Sequence, residues 1–160
     1  MEDIDDIADY IIYYVKSEGS RVSLINMKIQ KLLYFIQAWS YGINNSPLFD
    51  GEFEAWIHGP INTHIYDRFC ESKTLYSEIN IEDCKRTHFQ LSNKNSEFID
   101  FILENYVKFS SAELEQLIQE ELPWTKTRGH IDRNERCNKV ISAELLKEYY
   151  GQRWKEINAL

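Results

Sequence analysis

No stretch of this chain approaches the roughly 20 consecutive apolar residues that a membrane span requires. Its start, Met1-Glu2-Asp3-Ile4-Asp5-Asp6, is acidic where a signal or transit peptide is basic. The expected compartment is therefore the cytoplasm. Cysteine is scarce: Cys70, Cys84 and Cys137 are an odd number with no CxxC spacing, which excludes a disulfide framework and a zinc knuckle and fits free thiols. Positive charge is also short. The formal net charge of −8 repels a phosphate backbone, so nucleic acid could be met only through a local patch, and Lys126, Arg128, Arg133, Arg136 and Lys139 are its sole candidate. Such a patch most often is a solvated face, so nucleic acid is not an expected partner and a nucleic-acid-binding regulator is kept only as a further alternative.

Catalytic signatures are missing as well. HExxH, HxH, GxSxG, a P-loop and GxGxxG do not occur. His58, His64, His88, His130 and the three cysteines are scattered, and neither an activated nucleophile nor a metal set emerges from their spacing. Cys84 and His88 stand one helical turn apart in a polar stretch without further ligands. No cofactor and no catalysis are expected; an enzyme built around His58, His64 and Arg68 is the alternative that a single histidine at a strand-to-helix corner leaves open.

What the chain does have is aromatic side chains. Ten Tyr, eight Phe and four Trp among 160 residues are more than catalysis-free housekeeping demands, and Trp and Tyr, with Arg, dominate binding energy at protein interfaces. The length is that of one domain, expected to span residues 1–160 around a single core. Ile4, Ile7, Ala8, Ile11 and Val15 lie at helical spacing behind an acidic first turn, with Gly19 as terminator, and Tyr10, Tyr13 and Tyr14 face another way. Ile25, Ile29, Leu32, Ile36, Trp39 and Ile43 form an unbroken stripe on a second, central helix that Ser23 is expected to cap. Leu24, Phe35, Ala38 and Tyr41 widen its apolar contact, leaving Gln30, Lys31 and Gln37 at the edge of packed surroundings, where each needs a polar partner.

After the break at Asn44-Asn45-Ser46-Pro47, the alternation of Phe53, Ala55 and Ile57 with Glu52, Glu54 and Trp56 predicts a half-buried strand. Gly59-Pro60 is expected to close it, with proline heading a short helix that presents Ile61, Ile65, Tyr66 and Phe69. Residues 71–87 read as a mobile connection, and His88-Phe89-Gln90-Leu91 as a strand pairing with the first. Ser92 or Asn93 caps a helix with Phe98, Ile99, Ile102, Leu103 and Tyr106 inward, and Ser110 to Glu113 is a capping box for Leu114, Leu117 and Ile118. Pro123 heads another helix on which Trp124 and Arg128 share a face. Lys139-Val140-Ile141 can add an edge strand, and Ser142 caps a last helix with Leu145, Leu146 and Tyr149 inward. The expected fold is mainly α (α+β): six to seven helices with a small two- or three-stranded antiparallel sheet.

Three runs in order, Lys28-Ile29-Gln30-Lys31-Leu32-Leu33-Tyr34-Phe35-Ile36-Gln37-Ala38-Trp39, Pro47-Leu48-Phe49-Asp50 and Glu54-Ala55-Trp56-Ile57-His58-Gly59-Pro60-Ile61, resemble the signature of the Panacea-domain family of SocA-like, phage-associated antitoxins. The likeness continues through Ile65 to Phe69, Glu113-Leu114, Leu117, Pro123-Trp124 and Arg128 to Ile141 and Tyr149-Tyr150. The resemblance implies a prokaryotic or phage toxin-antitoxin system in which this chain neutralises a toxin encoded nearby by direct protein–protein binding. Its alternative is an adaptor delivering the toxin to a cytosolic protease. Partner-binding or signature residues carried over are Gln30, Lys31, Tyr34, Trp39, Trp56, His58, Gly59, Pro60, Tyr66, Arg68, Pro123, Trp124 and Arg128. Where the family commonly has Thr-His before its Pro-Trp, this chain has Ile118-Gln119, so any activity dependent on that histidine is missing.

Overall fold

A computed structural model describes residues 1–17, 20–86 and 90–160. Seven helices occur among them: α1 (Ile4–Lys16), α2 (Asn26–Asn44), α3 (Thr63–Cys70), α4 (Asn93–Tyr106), α5 (Ser111–Glu120), α6 (Leu122–Arg128) and α7 (Ala143–Asn158). With the antiparallel pair β1 (Glu54–Trp56) and β2 (Gly59–Ile61), this is the mainly α architecture with a small sheet that the periodicity predicts. The terminator at Gly19 and half of the expected strand from His88 to Leu91 lie outside the described residues, and its other half, Gln90 and Leu91, is in no strand.

α2 is the axis of the fold because every side chain from Asn26 to Ser40 is buried. Gln30, Lys31 and Gln37 are thus inside the packing, not at its edge, and each has the partner that burial demands. Gln30 donates to the Asn62 carbonyl (3.1 Å) and accepts from the Asn62 N–H (2.8 Å). Gln37 does the same for the loop before β1, donating to Phe49 O (2.7 Å) and accepting from Leu48 N (2.8 Å). Two buried amides on one helix therefore pin the loops on either side of the sheet.

Ser23 does not cap α2. Its hydroxyl donates to Glu78, and the first N–H groups of the helix, those of Asn26 and Met27, find Ser77 O (3.0 Å) and Leu75 O (2.9 Å) instead. A remote segment supplies the acceptors that a local side chain usually supplies. The connection from 71 onward is irregular as expected, with a single 3-10 turn at Ile81–Asp83, but its backbone is committed to α2 at one end and to α1 at the other. There the N–H groups of Lys85 and Arg86 donate to the buried Asp9 carboxylate.

Gly59-Pro60-Ile61 forms β2 instead of starting a helix. Glu54 pairs with Ile61 and Trp56 with Gly59 around the tip Ile57-His58, and α3 begins two residues later behind the Asn62 cap. The required positive φ (123°) falls on Gly59, where a side chain is strained. On the other side of β1, Ala55 N donates to Lys139 O (2.9 Å) and Ile141 N to Phe53 O (2.8 Å), so the 139–141 segment contributes one isolated bridge at Val140.

Ser92, Ser110 and Ser142 cap α4, α5 and α7 as their spacing predicts, Ser110 in a capping box with Glu113. α7 lies along α2, where the Trp39 ring meets Tyr150 (4.9 Å between centroids) and Trp154 (6.5 Å) edge-on. Tyr150 is fully buried and Tyr149 only in part, the reverse of the expected order. The Tyr150 hydroxyl donates to the buried Glu121 (2.7 Å), which also pairs with Arg153 (2.6 Å) and accepts a longer bond from Tyr149 (3.5 Å).

α1 is tied to α3 by Arg68, whose guanidinium bonds Asp5 (3.1 Å) and Asp9, with Asp9 fully buried. Tyr10, on the face the sequence left uncovered, donates to Asp100 of α4 (2.5 Å). Burial opposes ionisation of Asp5, but hydrogen bonds from His64 and Lys85, with the charges of Lys85 and Arg68, outweigh it and hold the carboxyl below its ordinary value of 3.8. A carboxylate lowered in the folded state stabilises fully above its unfolded value and loses that contribution as pH falls through the folded one. Asp5→Asn is therefore expected to lower the urea midpoint at pH 6, with the gap to the unaltered protein narrowing as pH falls below 3.8. A gap that stays constant over that fall would show that Asp5 carries no such linkage.

Candidate functional site

The tip of the β1–β2 hairpin, the first turn of α3 and two loops enclose an open groove of about 670 Å³. Its floor is one face of the sheet, where β-strand alternation puts Glu54, Trp56, Gly59 and Ile61 side by side. Tyr66, one turn into α3, leans on Trp56 with ring centroids 5.2 Å apart. Met27 and Leu75 close one wall, and Arg136, Cys137 and Asn138 the other. Trp56 is fixed in place because its Nε1 donates to Glu54 Oε1 (3.0 Å) and its carbonyl accepts from Trp124 Nε1 (3.0 Å).

Behind the floor, Arg128 is 2% exposed and serves as a backbone clamp, not as part of a basic surface. It donates to Ala55 O (2.8 Å) on β1 and to Asp132 O (2.9 Å) and Glu135 O (2.5 Å) of the following loop, with its guanidinium 4.8 Å from the Trp124 ring. That clamp sets the loop that becomes the Arg136–Asn138 wall. The patch between Lys126 and Lys139 is thereby reduced, since one of its five cations, Arg128, faces inward.

Lys31 lies under the hairpin, 2% exposed, with its Cε where a side chain on Gly59 would have to go (3.3 Å from an added Cβ). Its ammonium donates to Ser111 Oγ (3.0 Å), and among the described residues no carboxylate is paired with it. Burial lowers its pKa to about 8 against the opposing charge of Glu115. A buried cation kept without an ion-pair partner costs stability, and such costs concentrate at functional sites. Between about pH 8 and 10.5 the unfolded chain holds a proton at Lys31 that the folded one has released, so stability should rise with pH across that window. Lys31→Met is expected to remove that rise and to stabilise the fold at pH 7 by about 1–3 kcal/mol. Denaturant titrations at pH 7 and 10 read both effects.

Of the carried-over residues, the fold brings Trp56, His58, Gly59 and Tyr66 together on the groove. Lys31, Pro60, Trp124 and Arg128 support it from within, and Gln30 holds the β2–α3 corner. Tyr34 and Trp39 belong elsewhere, in the core with Phe35, Phe53 and α7, and Arg68 belongs to the α1–α3 ion cluster. Met27, Leu75, Arg136, Cys137 and Asn138 were not singled out as groove residues, and nothing in their local sequence marks them. They meet only because the 74–78 segment folds onto the start of α2 and Arg128 gathers the 132–135 loop. Gln119, standing where the resemblance places histidine, donates to the Ile57 carbonyl at the tip (3.2 Å). Among the described residues, no three His, Cys, Asp or Glu side chains converge to hold a metal ion, and no helix is long and apolar enough to cross a membrane.

These elements define a mainly helical protein that carries an open groove with aromatic lining on a short hairpin. The model of the family described as Antitoxin SocA-like, Panacea domain matches residues 29–125, more than half of the chain, and the chain belongs to that family. Neither the curated proteins nor the solved structures gave a match. The matched region runs from α2 into α6, containing the groove floor and Trp124 and ending before Arg128 and α7. Membership supports an antitoxin role and a toxin as partner in general terms, and suggests a non-enzymatic regulator.

Proposed function

We propose that this chain is a single-domain cytoplasmic antitoxin of a prokaryotic or phage toxin-antitoxin system, neutralising a toxin encoded beside it by direct binding at the Trp56–Tyr66 groove. The observation that carries this reading is the placement of Trp56, His58, Gly59 and Tyr66 on one open, mostly apolar surface inside the family-matched region. Aromatic side chains held rigid by hydrogen bonds lose little entropy on binding, which makes them suitable anchors. Neutralisation is steric: the antitoxin covers a working face of the toxin, and the −8 charge speeds encounter with a basic partner more than it adds affinity. No cofactor, catalysis, membrane or nucleic acid enters this scheme.

Co-expression tests it. The neighbouring gene's product should arrest growth alone, growth should return when this chain is present, and the two should co-elute. Continued arrest with both proteins made would refute the antitoxin role. An unchanged toxin half-life marks inhibition, whereas a shortened one marks delivery to a cytosolic protease.

A further inference from the structure

Resting on the antitoxin reading, we propose that the toxin is gripped through a two-part segment: an aromatic or long aliphatic side chain in the groove, followed by lysine or arginine on the adjoining face of α5. The groove does not end at the hairpin tip. His58 lines it, and the Nδ1 of the same ring lies 3.0 Å from Glu115 Oε1 on α5. Gln119 of α5 reaches the Ile57 carbonyl beside it. Beyond this seam a second, polar hollow of about 390 Å³ is lined by Glu115, Gln116, Gln119 and Glu120. One surface thus changes from apolar to acidic across a single histidine.

Charge selects the occupant of the second part. α5 carries Glu113, Glu115 and Glu120 and has no lysine or arginine of its own. Arg133, the one cation lining the polar hollow, is bound to the Gln119 amide oxygen and not to a carboxylate. Glu115 meets His58 and Glu120 accepts from Gln116 (3.3 Å) through one carboxylate oxygen each, which leaves the second oxygen of each to an incoming cation, and desolvated cation–carboxylate hydrogen bonds are stronger than neutral ones. Trp56, Tyr66, Met27, Leu75 and Ile61 make the groove mostly apolar, with Glu54 tied to Trp56 Nε1 (3.0 Å) and Arg136 in one wall, so a hydrocarbon or aromatic anchor fits it best. A second copy of this chain is a poor occupant, since it brings the same −8 charge to an acidic face.

The test measures association of the full chain with the neighbouring gene's product at 50 mM and 500 mM salt. Leu75→Glu places a charge in the apolar half and should weaken binding at least tenfold at both salt concentrations. Glu115→Lys with Glu120→Lys reverses the acidic half on exposed or half-exposed positions; it should slow association about tenfold at 50 mM salt and far less at 500 mM. Melting curves verify that each variant stays folded, and Leu75→Asn replaces Leu75→Glu if the latter does not. Unchanged affinity in both halves would overturn the proposal while leaving the antitoxin reading standing. A loss confined to Leu75→Glu would overturn the basic part of the segment. Absence of any binding by the unaltered chain would instead refute the antitoxin reading itself.

Discussion

Gly42→Ala should be among the most damaging single substitutions in the chain, costing about 3 kcal/mol or more. An added Cβ would sit 2.6 Å from both the carbonyl carbon and the Cβ of Tyr150, well inside contact distance of a fully buried residue. The obstacle is backbone, which cannot swing aside as the end of a flexible side chain can. Relief requires α7 to move off α2, and that movement breaks the packing of Trp39 on Tyr150 and Trp154 and pulls Tyr150 from Glu121. For a chain of this size the expected fall in melting temperature is roughly 6–12 °C. Gly151→Ala provides the contrast: its Cβ would lie 3.7 Å from the Gly42 carbonyl, an ordinary contact. There alanine's better helix propensity should prevail, with a change near zero or a gain of up to about 1 kcal/mol. Thermal melts followed by circular dichroism decide both; equal effects at the two positions would show that the close approach is not at Gly42.

Arg128→Met should cost about 3–5 kcal/mol, because methionine fills the space but donates nothing. The carbonyls of Ala55, Asp132 and Glu135 would lose their shared donor, and the one on Ala55 is inside the sheet where water does not replace it. Arg128→Lys should recover less than half of the loss, since a single ammonium cannot span acceptors on two separate segments as a planar guanidinium does. The effect reaches the groove. Releasing the 132–135 loop frees the Arg136–Asn138 wall, so toxin affinity should fall in step with stability in Arg128→Met, whereas Gly42→Ala should weaken binding only to the extent that it unfolds the chain. Urea denaturation and binding measured on the same preparations separate the two; full toxin affinity in folded Arg128→Met would show that the wall is not part of the contact.

Much of the fold was legible in the sequence because its signals are local. Ser92, Ser110 and Ser142 cap helices through N–H groups two or three residues away, and the stripe from Ile29 to Trp39 buries itself whatever it packs against. The misreadings share one cause. Ser23 has the chemistry of a cap, but the 75–77 backbone reaches the same N–H groups first. Gly59-Pro60 reads as a helix entrance, yet Gln30, two elements earlier, holds Asn62 so that the corner extends through Ile61 and the helix begins after it. Tyr149 and Tyr150 are equivalent in composition and both reach Glu121 on another segment, and it is Tyr150 that packs against Trp39 of α2. The candidate site divides in the same way. Trp56, His58 and Tyr66 stand out as motif residues, while Leu75 and Asn138 carry no mark because their importance is a matter of which loops come to lie beside the hairpin.

The sequence by itself determined the number of helices, the caps of α4, α5 and α7, the acidic charge, the shortage of catalytic groupings and the resemblance to an antitoxin family, since periodicity and motif spacing are properties of neighbouring residues. Tertiary structure alone decided which polar groups are spent inside and which stay at the surface. Arg128 became a buried clamp and Lys31 a buried cation, and loops from both sides of the sheet closed on Trp56 to make a groove. Burial and long-range hydrogen bonding depend on contacts between residues far apart in the chain, and no local pattern encodes them.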